Sequence, residues 1–370
     1  MEVNMARLFG DEITRADLQQ RVGSMRQVCG IELAVLDEGV ETGVRVADIT
    51  TGGGFRFRVL ISRGLDIAEA DWRGIPLAWR SPSGNSGPWY YEPDGLGWLR
   101  TFFGGLVTTC GLTTAGAPSV DQGKPLGLHG RISNLPAGAI AVDERWEGDD
   151  YVMTLRGRVH EAVIFGENVL LNREITARLG ENRLFLHDTV ENVGYRTTEH
   201  MILYHINGGY PAVAPGGSLV SPTLATKPRD ADAEIGQEEY AQFSAPVPGY
   251  REKVYYHQFA VDAEGFVRAA LVNDGFAGGH GFGFYVSYPA EQLSRFTEWK
   301  MMGQVDYVVG MEPANCLVEG RARERERGTL QFLEPGEQRE YDLEIGVLEN
   351  AEHITRFRAA VDKALRDAQR

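Results

Sequence analysis

The stretch NREITARLGENRLFLHDTVEN, residues 172–192, decides the fold class. Two alternating runs of apolar and polar residues flank Gly180, Glu181 and Asn182, residue types that a tight turn prefers, so the segment reads as an antiparallel β-hairpin. The same alternation recurs in GVRVADIT (43–50), GFRFRVLIS (54–62), YVMTLRGRVH (151–160) and EYDLEIGVLE (340–349),. Forty-five glycines and sixteen prolines punctuate these short runs, the pattern of many strands joined by tight turns,. Helical periodicity appears chiefly at the two ends. DEITRADLQQRVGSMRQV (11–28) carries Asp and Thr start signals, and AEHITRFRAAVDKALRDAQR (351–370) places Ile354, Phe357, Val361 and Leu365 on one side,. No linker, repeat or change of composition interrupts residues 30–350,. The expectation is one domain over residues 1–370, an all-β, mainly antiparallel sandwich with short helices at the N- and C-termini: a helical extension over 1–30 and a terminal helix over 351–370.

Composition excludes several classes. The 370 residues carry 43% hydrophobic and 24% charged residues, ordinary for a globular protein, and no apolar run approaches the roughly 18 residues of a membrane helix,. The acidic, non-apolar N-terminus argues against a secretory signal, and Cys29, Cys110 and Cys316 are too few and scattered for a disulfide framework,. A cytoplasmic protein is expected, monomeric or homodimeric, with no membrane partner. A net charge of −15 repels phosphate backbones, so nucleic acid is not expected as a partner,. The sign-alternating EGRARERERG (319–328) reads as a solvated loop or exposed strand,.

Phosphate-binding, dinucleotide-binding, zinc-protease and serine-hydrolase motifs are all missing,. His160, His187 and His200 fall in alternating strands, where an outward-facing ring is expected. Three other stretches place polar residues where chemistry needs them. GLHGRISNLPA (127–137) brackets His129 between glycines that let backbone approach a ligand, then supplies Arg131 and Asn134,. LYHINGGYP (203–211) sets His205 in an apolar run ahead of Asn207 and a Gly-Gly turn. YVVGMEPAN (307–315) ends a hydrophobic strand in Glu312, a carboxylate that burial alone would penalise, so it is either paired or functional,.

The order of these elements, LHG, then a strand histidine before an Asn-containing turn, then a late Glu before LEPGEQREYDLEIGV, resembles the aldose 1-epimerase (galactose mutarotase-like) superfamily. SRGLDIAEADWRGIPLAWRSPSG (62–84) and FTEWKMMGQVDYVVGMEPAN (296–315) look like its DUF4432 branch. That resemblance implies a β-supersandwich with a sugar-binding cleft, a small-molecule carbohydrate as partner and no cofactor. It also implies roles. Glu312 is the catalytic base for the anomeric hydroxyl, His205 the catalytic acid for the ring oxygen, and His129 and His257 bind substrate. His205 would then need to be cationic within an apolar wall.

The chain departs from galactose mutarotases at two places. VTTCGLTTAG (107–116) has no arginine, and VYYHQF keeps His257 but has Tyr256 where they have Asp. Compensating contacts could come from Arg63 and Asp66 in SRGLD and from Trp299 and Lys300 in TEWK, together with Arg131 and Asn207. An Arg63–Asp66 ion pair closing a turn, and core packing for Trp299, are the alternatives. His129, His205 and Glu312 are also metal-ligand types, but their separation gives no metal motif, and a metal-free site is expected. The leading function is cofactor-independent interconversion of anomers, or epimers, of a small free sugar or sugar acid. The alternatives are another carbohydrate enzyme on this fold, such as a lyase, or a non-catalytic sugar-binding module.

Overall fold

The computed structural model of the protein describes residues 6–370. The 172–192 hairpin pairs the strands Asn168–Arg178 and Arg183–Asn192 antiparallel, with Ile175 opposite Leu186 and Ala177 opposite Leu184. Buried and part-buried side chains alternate along both strands, as the two-residue period requires,. Gly180 at the turn has φ 78°, a conformation open to glycine without steric penalty,.

This hairpin belongs to an eight-stranded sheet in the order Gly138–Glu147, Asp150–Ala162, Asn168–Arg178, Arg183–Asn192, Gln338–Leu348, Phe282–Pro289, Phe266–Asn273, Ser218–Val220. A second sheet runs Thr223–Pro228, Lys253–Phe259, Arg295–Met302, Tyr307–Ala314, Thr198–Gly208, Gln331–Leu333, and Thr108–Leu112 also pairs with Thr198–Gly208. A third, five-stranded sheet spans Gly30–Val35 to Ile75–Pro76. Leu186, Phe284 and Ile345 from the first sheet, Tyr204, Ile206 and Met311 from the second, and Ile49, Phe57 and Ile67 from the third share one apolar core. Sheets stacked in this way bury their alternating apolar faces against each other.

The terminal helix, Ala351–Ala368, starts where the Asn350 side chain accepts the His353 N–H. Its Ile354, Phe357 and Val361 cover Ala270, Val272 and Leu348 on the outer face of the eight-stranded sheet, with Leu365 packed alongside.

Three expectations give way. The N-terminal segment is a hairpin of Ala6–Leu8 and Asp11–Ile13, then a short helix, Arg15–Gln19, and one 3-10 turn, Met25–Gln27. Thr14 caps Asp17 and fixes the helix start, and Gly23 follows its end. Residues 1–5 of the expected extension lie outside the described residues. EGRARERERG contains a helix, Arg321–Arg327, because Arg321 and Arg325, one turn apart, both reach Asp121,. His200 is buried, its Nδ1 at the Leu112 carbonyl and its Nε2 at the Tyr341 hydroxyl, in phase with Ile202 and Tyr204 on the core side.

Candidate active site

The strand Thr198–Gly208 is buried on both faces. Ile202, Tyr204 and Ile206 enter the main core, while Met201 and Leu203 join a separate apolar cluster with Trp98, Phe102, Val254 and Ala314. Alternation puts His205 on the side of Leu203. The register that sets Asn207 opposite Gly310 and Ile206 opposite Met311 brings His205 and Glu312 across from one another. His205 Nε2 lies 3.1 Å from Glu312 Oε1, with side chains only 6% and 3% exposed. Gly310 makes room for them: a Cβ there would stand 2.8 Å from Glu312 Oε1 and 3.1 Å from His205 Cε1.

The pair lies at the floor of a hollow of about 330 Å³ whose walls include Leu96, Trp98, Leu99, Phe102, Leu128, His129, Arg229, Glu252, Trp299 and Val318. The His205 ring is 5.3 Å from those of Phe102 and Trp299 and 5.8 Å from that of His129. Burial, reinforced by neighbouring His129, pushes the His205 pKa down to about 3. Burial pushes the Glu312 carboxyl well above the ordinary carboxylate range. Both directions favour the neutral forms, so the cationic His205 expected from the sequence is not the favoured resting form,. His129, pushed down to about 4 by burial, is likewise neutral. Its Nδ1 accepts the Gly116 N–H at 3.4 Å, which leaves Nε2–H as the ring's donor,. Among the described residues no group of three or more His, Cys, Asp and Glu is placed to hold a metal ion.

The hollow therefore gathers His129, His205, Trp299 and Glu312 from the expected set. His257 is elsewhere: Val254 faces the hollow, whereas His257 turns to the other side of its strand and meets Glu298 at 3.1 Å and Thr223 at 3.1 Å. Lys300 shares that side, its ammonium donating to the carbonyls of Glu239, Tyr240 and Gln242. Arg63 is fully buried, and its guanidinium donates to the carbonyls of Ser86, Thr101 and Ser133. Asp66 does not pair with it in a turn. It accepts from Thr109 at 2.6 Å and Arg173 at 3.0 Å in a buried cluster where Arg173 also holds Asp188. Asn207 secures the floor from beneath, its amide donating to the carbonyls of Gly104, Gly105 and His205. Arg131 is exposed and does not line the hollow.

Sequence reasoning missed Trp98, Phe102, Arg229 and Glu252. The aromatic cluster in GLGWLRTFFGG was a usable signal; Arg229 and Glu252 flank strands with no motif around them. Arg229 donates to Asp230 at 2.7 Å and Glu252 at 3.0 Å, and Glu252 also accepts the Trp299 indole N–H at 2.8 Å.

Over residues 41–347 the sequence matches the family described as Domain of unknown function (DUF4432). The chain belongs to that family. A solved structure from Klebsiella pneumoniae subsp. pneumoniae, provisionally named an aldose 1-epimerase, superposes on this DUF4432 chain with a TM-score of 0.86 at 25% identity, over 90% of this chain and 87% of that one. A galactose mutarotase-like protein from Clostridium acetobutylicum gives 0.61 at 12% identity, over 88% and 99%. A galactose 1-epimerase from Lactobacillus acidophilus gives 0.50 at 12% identity, over 87% and 99%. The last two carry the fold alone. No curated protein matches. The DUF4432 chain has the mainly antiparallel, galactose mutarotase-like fold that the sequence implied, and among its described residues no helix is long and apolar enough to cross a membrane.

Proposed function

We propose that this DUF4432 protein is a cofactor-independent isomerase that interconverts the anomers of a small sugar by acid–base ring opening. The observation that carries the reading is the contact between His205 Nε2 and Glu312 Oε1, 3.1 Å apart at the floor of an aromatic hollow. Ring opening needs one group to take the anomeric hydroxyl proton and another to protonate the ring oxygen. Glu312 is the base and His205 the acid. The reactive form, carboxylate with imidazolium, holds the same number of protons as the resting form, carboxylic acid with imidazole. Transfer of one proton from the carboxyl to the imidazole interconverts them. When the carbon–oxygen bond of the ring breaks, Glu312 gains the hydroxyl proton and His205 gives its own to the ring oxygen, which returns the pair to its resting form. Rotation about the first carbon–carbon bond and the reverse transfers close the other anomer. His129 Nε2–H serves as donor to a sugar oxygen, and Trp299 packs against an apolar sugar face.

The chemistry of the walls favours a neutral sugar over a sugar acid, because the cation lining the hollow, Arg229, is already paired with Asp230 and Glu252. Exchange NMR between anomers, run over a panel of neutral aldoses, ketoses and uronic acids, tests the reading. Acceleration of at least one neutral sugar is expected, with its loss in His205→Asn. Equal exchange in wild type and His205→Asn would rule the pair out.

A further inference from the structure

A second hollow, of about 380 Å³, adjoins the one that holds His205 and Glu312, and Leu99, Phe102, Glu252 and Trp299 line both. Trp79, Ser81, Pro82, Ser83, Met301 and Asp306 complete its walls. Aromatic rings run from one hollow into the other. Trp98 is 4.5 Å from Phe102, Phe102 is 6.3 Å from Trp299 and 6.1 Å from Trp79, and Trp79 meets Trp299 edge-on at 6.4 Å. Trp79 is anchored by its indole N–H on the Val305 carbonyl at 3.3 Å. Glu252 stands at the junction, oriented by Arg229 and Trp299, and Asp306 is exposed.

We infer that the substrate has two parts, a reducing sugar ring over His205 and Glu312 and a second, glycosidically linked sugar ring against Trp79. This rests on the ring-opening reading, and that chemistry fixes the attachment. Ring opening needs a free anomeric hydroxyl on the reacting ring, so the link leaves from one of its other carbons. The substrate class is therefore the reducing end of a di- or oligosaccharide. The walls fit a sugar ring, which offers a C–H face to an indole and hydroxyl donors at its rim for the carboxylates of Glu252 and Asp306. A purely apolar group would offer neither carboxylate a hydrogen-bond donor, whereas sugar hydroxyls offer both one.

Anomer exchange by NMR on glucose and galactose beside cellobiose, maltose and lactose, with calorimetric titration of the same sugars, tests this. At least one disaccharide should exceed its own reducing-end hexose in kcat/KM by about fivefold, the worth of one aromatic contact. Ser83→Trp, which fills the second hollow, and Trp79→Ala, which removes its indole, should both bring that ratio close to one. A wild-type ratio at or below one, or a ratio that neither variant moves, overturns the two-part substrate and leaves ring opening standing. Acceleration of no sugar overturns ring opening instead. The two-part ligand then stands only if a disaccharide binds wild type more tightly than its hexose and loses that advantage in Ser83→Trp; equal binding overturns it as well.

Discussion

Burial acts on Glu312 and His205 in opposite senses, and each has a stability consequence. Glu312 has a folded pKa above its ordinary 4.5, so the folded chain keeps this proton while the unfolded chain releases it; stability is full below 4.5 and falls as pH rises toward the folded value,. His205, lowered from 6.5 to about 3, makes the folded chain less stable as pH falls through that window,. Glu312→Gln removes the first effect, so its melting temperature should lie above wild type at pH 8, with the gap closing toward pH 4.5 by scanning calorimetry. Its anomer exchange should fall by about 10²-fold or more. The wild-type rate profile should be bell-shaped, with an acidic limb near the His205 value of about 3 and an alkaline limb where the pair loses its last proton,. An acidic limb near 6.5, read from exchange rates corrected for buffer, would exclude a neutral resting His205. The sequence marked His129, His205 and Glu312 because each interrupts an apolar or glycine-rich run. It misdirected Lys300 and His257 because the two-residue period is decisive: Lys300 follows Trp299 in one strand and His257 lies three positions after Val254 in another, so neither can face the hollow that Trp299 and Val254 line,.

The strands place the pair through a register, and the residue that admits the pair has no side chain. Gly310→Ala would set a methyl 2.8 Å from Glu312 Oε1, closer than real Cβ contacts stand, so the carboxyl must move off His205. Exchange should fall by about tenfold or more, as misplacement of reacting groups entails. Urea denaturation should register a change of only about 1 kcal/mol, because the clash is with a side-chain end. Unchanged exchange would mean that the 3.1 Å contact is not needed. At this scale alternation made the long strands legible, and the terminal helix announced itself through Ile354, Phe357 and Val361. The helix Arg321–Arg327 did not, because its repeating charges suit strand, loop or helix equally. Asp121, some 200 positions earlier, decides the matter by drawing Arg321 and Arg325 to one side.

Across the whole molecule, one arginine ties the sheets together. Arg173 and Asp188 face each other across the founding hairpin, and Arg173 reaches Asp66 of the five-stranded sheet and Thr109 beside the site strand, while Tyr204 donates to Asp188. Their inward phase was legible from Ile175 and Leu186, but partners so distant in sequence were not. Arg173→Met should destabilise by about 3–5 kcal/mol in urea denaturation, since it leaves Asp66 and Asp188 buried without a counter-charge. Adding Asp66→Asn and Asp188→Asn should recover part of that loss. The strand Gln338–Leu348 has a different reach: it lies between Arg183–Asn192 and Phe282–Pro289, so residues 193–337 separate it from its first neighbour. At ribosomal rates of roughly 5–20 residues per second, the 183–192 edge waits on the order of 10–30 s for its partner to be synthesised. Throughout that interval a nascent chain displays an open edge able to pair with other chains on the same polysome. The strand order thereby places a demand for shielding during translation that the stability of the finished fold does not register.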